Sequence, residues 1–128
     1  MTTTFNPYQL SQFTGCMQPY HDRLVPGIIY TDGVKFIRDR GCNWLVVDLL
    51  TTAVMDSDVK DQEFVTVKVN RDESYISFIG IDEEGEEVEV KRLDQYIGFD
   101  VPCDLTLFIG ETYQSSGPVK ILMLASEY

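Results

Sequence analysis

A chain of 128 residues with 44% hydrophobic content, seven Tyr, seven Phe and one Trp has the length of one compact domain, and its composition argues against disorder. Its net charge of −11 is lopsided: residues 1–55 hold four acids and four bases, and residues 56–128 hold the other seventeen acids and six bases. A field of that sign repels phosphate backbones, which disfavours direct nucleic-acid binding, and it favours encounter with a basic protein surface.

The first element in chain order is a short helix over about residues 7–13. Asn6 can cap it, Pro7 is preorganised for the first turn, Gln9 has capping-box spacing, Leu10 and Phe13 share a face, and Gly15 can end it. The segment "MQPYHDRLVPG" holds two prolines, a glycine and the only histidine, His21, and reads as an irregular connection. A second helix is punctuated by Thr31 or Asp32 at its start, by Arg38 and Arg40 in its last turn, where the helix dipole favours cations, and by Gly41 as a stop. A third runs from Asn43 to about Val54. It is apolar on most sides and is predicted to be the central buried helix, with Asp48 inside it.

From Glu63 the period changes to two. "EFVTVKVN", "SYISFIGI" and "EEVEVKRL" read as strands, and "DLTLFIG" and "VKILML" add two more around the loop "ETYQSSGP". Helices first and strands second predict a single α+β domain spanning residues 1–128, with two to three N-terminal helices packed on one face of a four- to five-stranded antiparallel sheet.

Three cysteines, Cys16, Cys42 and Cys103, form no close pair and read as reduced residues. "MTTTFNPYQL" lacks the basic and apolar regions of a signal peptide, and the longest apolar run, Trp44 to Met55, is too short to span a bilayer. A cytoplasmic protein without a membrane partner is therefore expected, in the host cell if a phage encodes it.

Chemistry-bearing patterns are sparse. "IDEEGEEVEVKR" packs Asp82, Glu83, Glu84, Glu86, Glu87 and Glu89 around Gly85, and "MDSDVKDQE" adds Asp56, Asp58 and Asp61. Neither has the spacing of a calcium loop, so the first reads as a solvated hairpin turn, with Val88 and Val90 facing the core, and the second as a linker. Catalysis through His21 would need Cys16 or a distant serine as nucleophile and Asp22 or Asp48 as orienter, and nothing in the spacing favours it. Asp48, if buried in its helix, requires a partner such as Arg23, Arg38, Arg40 or a backbone N–H. Phosphate-binding glycine motifs are absent. No catalytic residue, metal or cofactor is predicted.

Four short motifs carry a likeness: "LSQFTGC" (Leu10 to Cys16), "YTDGVKFI" (Tyr30 to Ile37), "WLVVDLL" (Trp44 to Leu50) and "LASEY" (Leu124 to Tyr128). Together they resemble a domain-of-unknown-function family of small bacterial, including cyanobacterial, and mobile-element proteins. The resemblance implies a common small α+β fold and transfers no catalytic residue. The motifs also have fold-level explanations: "YTDGV" is a strand-like approach to a helix cap, with Gly33 permitting close packing, and Trp44 anchors a helix.

The functional expectation is a small acidic, non-enzymatic protein-binding inhibitor of the anti-CRISPR or anti-restriction type. It docks Asp82, Glu83, Glu84, Glu86, Glu87 and Glu89, with Asp56, Asp58 and Asp61 as a second cluster, on a basic nucleic-acid-binding protein or complex. Alternate residues of a strand lie about 6–7 Å apart, close to the phosphate repeat along one strand. The alternative is an accessory or homo-oligomeric interaction domain, such as a homodimer through sheet edges, whose charge only solubilises it.

Overall fold

Val65, Val67 and Val69 alternate with Thr66, Lys68 and Asn70, and this period of two gives a strand with one buried face. The computed structural model describes residues 7–10, 12, 19–94, 103–115 and 117–128. Within them β1 (Tyr20–Asp22), β2 (Val25–Tyr30), β3 (Val65–Asn70), β4 (Tyr75–Ile81), β5 (Glu87–Leu93), β6 (Leu105–Gln114) and β7 (Gly117–Leu124) form one sheet. Its order is β1-β2-β7-β6-β3-β4-β5, so β1 and β5 are its two edges. The β2–β7 pairing is parallel and the other five are antiparallel.

This corrects the expected architecture of two to three helices on a four- to five-stranded antiparallel sheet. The described residues contain one long helix, α3 (Asn43–Met55), beside short α1 (Pro7–Leu10) and α2 (Asp32–Ile37). The extra strands are β1 and β2, from the segment read as an irregular connection. Pro26 and Gly27 look like breakers, but they precede the pairing with β7, which starts at Ile28. Val25, Ile28, Ile29 and Tyr30 are buried. Each such burial contributes about 1.5–3 kcal/mol, against a strand-glycine penalty of about 0.5–1 kcal/mol, so burial wins.

One helix end follows the expectation and another differs. Gly41 does end the second helix: Arg40 (φ −99°, ψ 22°) and Gly41 (φ 108°, ψ −3°) leave the helical path, and across this kink the chain runs directly into α3. Asn43 is already helical, and its Oδ1 accepts a hydrogen bond from Arg38 Nε at 2.6 Å instead of capping. Phe13, Gly15 and Cys16 lie outside the described residues.

Helix α3 packs against β2 and β7 and buries Leu45, Val46, Leu49, Leu50 and Ala53. Those side chains share one core with Val65, Val67, Ile76, Phe78, Leu107, Ile109 and Leu122. Asp48 is exposed on the outer side of α3, which corrects the expectation of a buried carboxylate. The helix is buried along one stripe only, and Asp48 falls off it.

A buried acid among the described residues is Glu127, in a 3-10 turn (Ala125–Glu127) after β7. It accepts hydrogen bonds from Thr31 Oγ1 at 2.5 Å, the Gly33 N–H at 3.0 Å and the Leu124 N–H at 3.0 Å. Thr31 occupies the N-cap position of α2 without capping through its own side chain. The carboxylate of Glu127 does that work from 94 residues away, where the helix dipole favours a negative charge. Gly33 is required there, because a Cβ would lie 2.5 Å from both Glu127 Oε1 and Leu124 Cδ1. Two of the motifs that carried the resemblance, "YTDGVKFI" and "LASEY", thus meet in space and have a structural reason to co-occur.

Candidate functional site

The densest acidic stretch forms the β4–β5 hairpin. The Asp82 N–H donates to the Glu86 carbonyl at 2.8 Å and the Gly85 N–H donates to the Asp82 carbonyl at 3.0 Å, closing a three-residue loop with Gly85 at φ 83°. The Asp82 side chain accepts from the N–H groups of Glu84 (3.0 Å) and Glu86 (2.8 Å), so its carboxylate shapes the turn. Glu83, Glu84, Glu86 and Glu87 are exposed and make no ion pair among the described residues. Val88 is 41% exposed, which corrects its expected place in the core, whereas Val90 does pack against the core. An edge strand covered on one side only leaves its outermost valine in water.

A β-bulge divides the edge. Phe78 pairs with Lys91 and Ile79 with Glu89, so Val90 is the additional residue. Glu89 and Lys91 would share a face in a regular strand; the bulge puts them on opposite faces. Glu89 accepts from Ser77 Oγ at 2.7 Å and pairs with Arg92 at 3.4 Å. Lys91, on the face of buried Phe78, pairs with Asp56 Oδ2 at 2.7 Å. That pair brings the linker after α3 to the acidic edge. Lys91, and then the Asp58 N–H, hold the Asp56 carboxyl below its ordinary range.

The nine expected docking residues therefore sort into three groups. Asp82, Glu83, Glu84, Glu86, Glu87 and Glu89 share the hairpin, with only the last engaging a cation there. Asp56 is brought to the same edge but is neutralised by Lys91, with exposed Asp58 beside it. Asp61 belongs elsewhere, in a cleft of about 490 Å³ with Lys60, Glu111 and Lys120.

At the other edge Arg38 organises a cluster that the sequence reading passed over. Its Nη2 donates to Asp22 at 2.6 Å, its Nη1 to the Tyr30 hydroxyl at 2.8 Å and its Nε to Asn43, so three donors have fixed acceptors. Tyr20 stacks on Tyr30 with centroids 5.7 Å apart, and the guanidinium lies 5.4 Å from the Tyr30 centroid. The backbone N–H of Leu24, and then Arg38, hold the Asp22 carboxyl below its ordinary range. Asp22 is thereby committed to Arg38, and Cys16 lies outside the described residues. Cys42 is buried and Cys103 half-buried, both as free thiols, and burial pushes the Cys103 thiol up.

Among the described residues no group of three His, Cys, Asp or Glu side chains is arranged to hold a metal ion, and no helix is long and apolar enough to cross a membrane. Fold and surface together define a helix-backed, seven-stranded mixed-sheet protein with one acidic edge. Residues 4–128 match DUF6876, a family of unknown function, and the chain belongs to that family. Neither the curated proteins nor the solved structures contain a match.

Proposed function

We propose that the chain is a non-enzymatic protein-binding inhibitor that docks its β4–β5 edge on a basic, nucleic-acid-binding surface of a partner. The supporting observation is the concentration of unpaired, exposed carboxylates Glu83, Glu84, Glu86 and Glu87 around a hairpin that needs none of them for its own hydrogen bonds. Such a surface occupies the place of a phosphate backbone and steers encounter by charge. A mobile-element origin and a host-defence target of anti-CRISPR or anti-restriction type extend this reading along the resemblance.

The test is capture from a lysate of the source organism, with and without nuclease. One retained basic nucleic-acid-handling protein, released by about 0.5 M salt and lost on reversing Glu83, Glu84 and Glu87 to Lys, is the expected result. Capture that ignores both salt and charge reversal overturns the reading.

A second reading, an interaction domain whose charge only solubilises it, has its own support. Phe108 pairs with Thr66 and Met123, out of phase with buried Val67 and Leu107, so it lies on the sheet face away from the core. There Phe64, Phe108 and Tyr128 form a triangle with centroids 5.1, 5.3 and 5.2 Å apart, and Tyr128 is 80% exposed. Self-association in sedimentation that is lost in Phe108→Ser favours this reading over docking by charge.

A further inference from the structure

Beside the Arg38 cluster lies a cleft of about 360 Å³ whose charge runs against that of the whole chain. It is lined by Arg23, Lys35 and Arg38 against Asp22 and Asp39, in a protein of net charge −11. The volume is at the small end of ligand pockets, which span about 300–1,000 Å³, and suits a small molecule rather than a polymer.

The cations differ in commitment. Arg38 and Asp22 neutralise each other, and one donor on each nitrogen of Arg38 ends on Asp22, Tyr30 or Asn43. They form the floor. Lys35 is held 5.7 Å from the Tyr20 ring centroid and pairs with Asp39 at 2.5 Å, but that pair is solvated, with side chains 37% and 56% exposed. An exposed pair of this kind resists displacement by only about 0–1 kcal/mol. The Arg23 side chain is exposed and makes no hydrogen bond or ion pair among the described residues. The rim thus offers two cations: one held by a weak partner and one with none. His21 pairs with Ile29, out of phase with Tyr20 and Tyr30, and belongs to the other face of the sheet. Leu24, 86% exposed in the same turn, supplies an apolar lip beside them.

We infer that this cleft binds the phosphate group of a small phosphate monoester, with Arg23 and Lys35 as its donors and Leu24 against the organic part. Displacing Asp39 from Lys35 costs little, and a dianion gains charge-assisted hydrogen bonds from the cations that replace it. The site lies at the opposite edge of the sheet from the proposed docking edge and is independent of it.

Titrating the full chain with inorganic phosphate at fixed pH, with chloride at matched ionic strength as the control, should move the backbone amide resonances of Arg23, Leu24 and Lys35 saturably, with a dissociation constant of about 1 mM or tighter. Glycerol phosphate should bind at least as tightly as inorganic phosphate. The double variant Arg23→Gln, Lys35→Gln changes two exposed side chains away from the core and should weaken both ligands at least tenfold with its amide spectrum otherwise intact. A non-saturating shift, a shift that chloride reproduces, or undiminished binding by the double variant overturns the proposal.

Discussion

The two edges of the sheet treat charge in opposite ways. At the β1 edge, Asp22 and Arg38 are mostly withdrawn from water, 8% and 19% exposed, and the arginine donors end on named acceptors. At the β5 edge, Glu83, Glu84, Glu86 and Glu87 project into solvent while backbone groups and Asp82 hold the turn. Charge that a fold has paired is costly to remove, and charge left in water is available to something else. The even balance of residues 1–55 and the −11 of residues 56–128 thus become two ends of one sheet.

The largest expected effect is at the paired edge. Arg38→Ala strands the Asp22 carboxylate and leaves the Tyr30 hydroxyl and Asn43 without their donor, so unfolding in urea should show a loss of about 3 kcal/mol. A loss under about 1 kcal/mol would make the β1 edge no different from an ordinary surface pair. Next comes the buried acid. Glu127→Gln keeps the shape but turns an amide N–H₂ toward donors from Thr31, Gly33 and Leu124, and should cost about 2 kcal/mol by the same measurement.

Those two sites were also the least legible in the sequence, for a physical reason. The period-two and helical patterns that announce β3, β4, β5 and α3 are local, and so is Gly85 in its turn. Strand β2 depends on a parallel partner more than 90 residues later in the chain, and neither Pro26 nor Gly27 hints that the residues after them are internal. Asp48 stood out as a carboxylate in an apolar helix yet lies in water, while Glu127, in a short tail, is the one enclosed. Burial of a charge is decided by what folds over it, and a composition window carries no such information. The Asp22–Arg38 pair was missed likewise, because a strand edge was read there as a loop. The hairpin acids were legible because exposure at a turn is local; that Asp56 joins them was settled by Lys91 on a distant strand, while Asp61 lies in another cleft.

Acid acts on both edges by a smaller effect. Asp22 and Asp56 have folded values below the ordinary 3.8, so the unfolded chain binds protons first as the pH falls. Their contribution is complete above the unfolded value and is lost as pH drops through the folded ones, so stability should decline below about pH 4. In Asp22→Asn that acid limb should be shallower. An unchanged limb would mean that Asp22 is not held by its partners in solution.

The smallest expected change is the one that decides what the β5 edge is for. Glu83→Gln, Glu84→Gln and Glu87→Gln together delete no hydrogen bond of the hairpin, so stability should move by less than about 0.5 kcal/mol, and upward if mutual repulsion is relieved. Raising salt should stabilise the native chain slightly through the same screening and should do less for the triple variant. If the carboxylates are a docking surface, that variant keeps its fold and loses the captured partner. If it unfolds as readily as Arg38→Ala, those charges belong to the architecture, and the contrast between the two edges disappears.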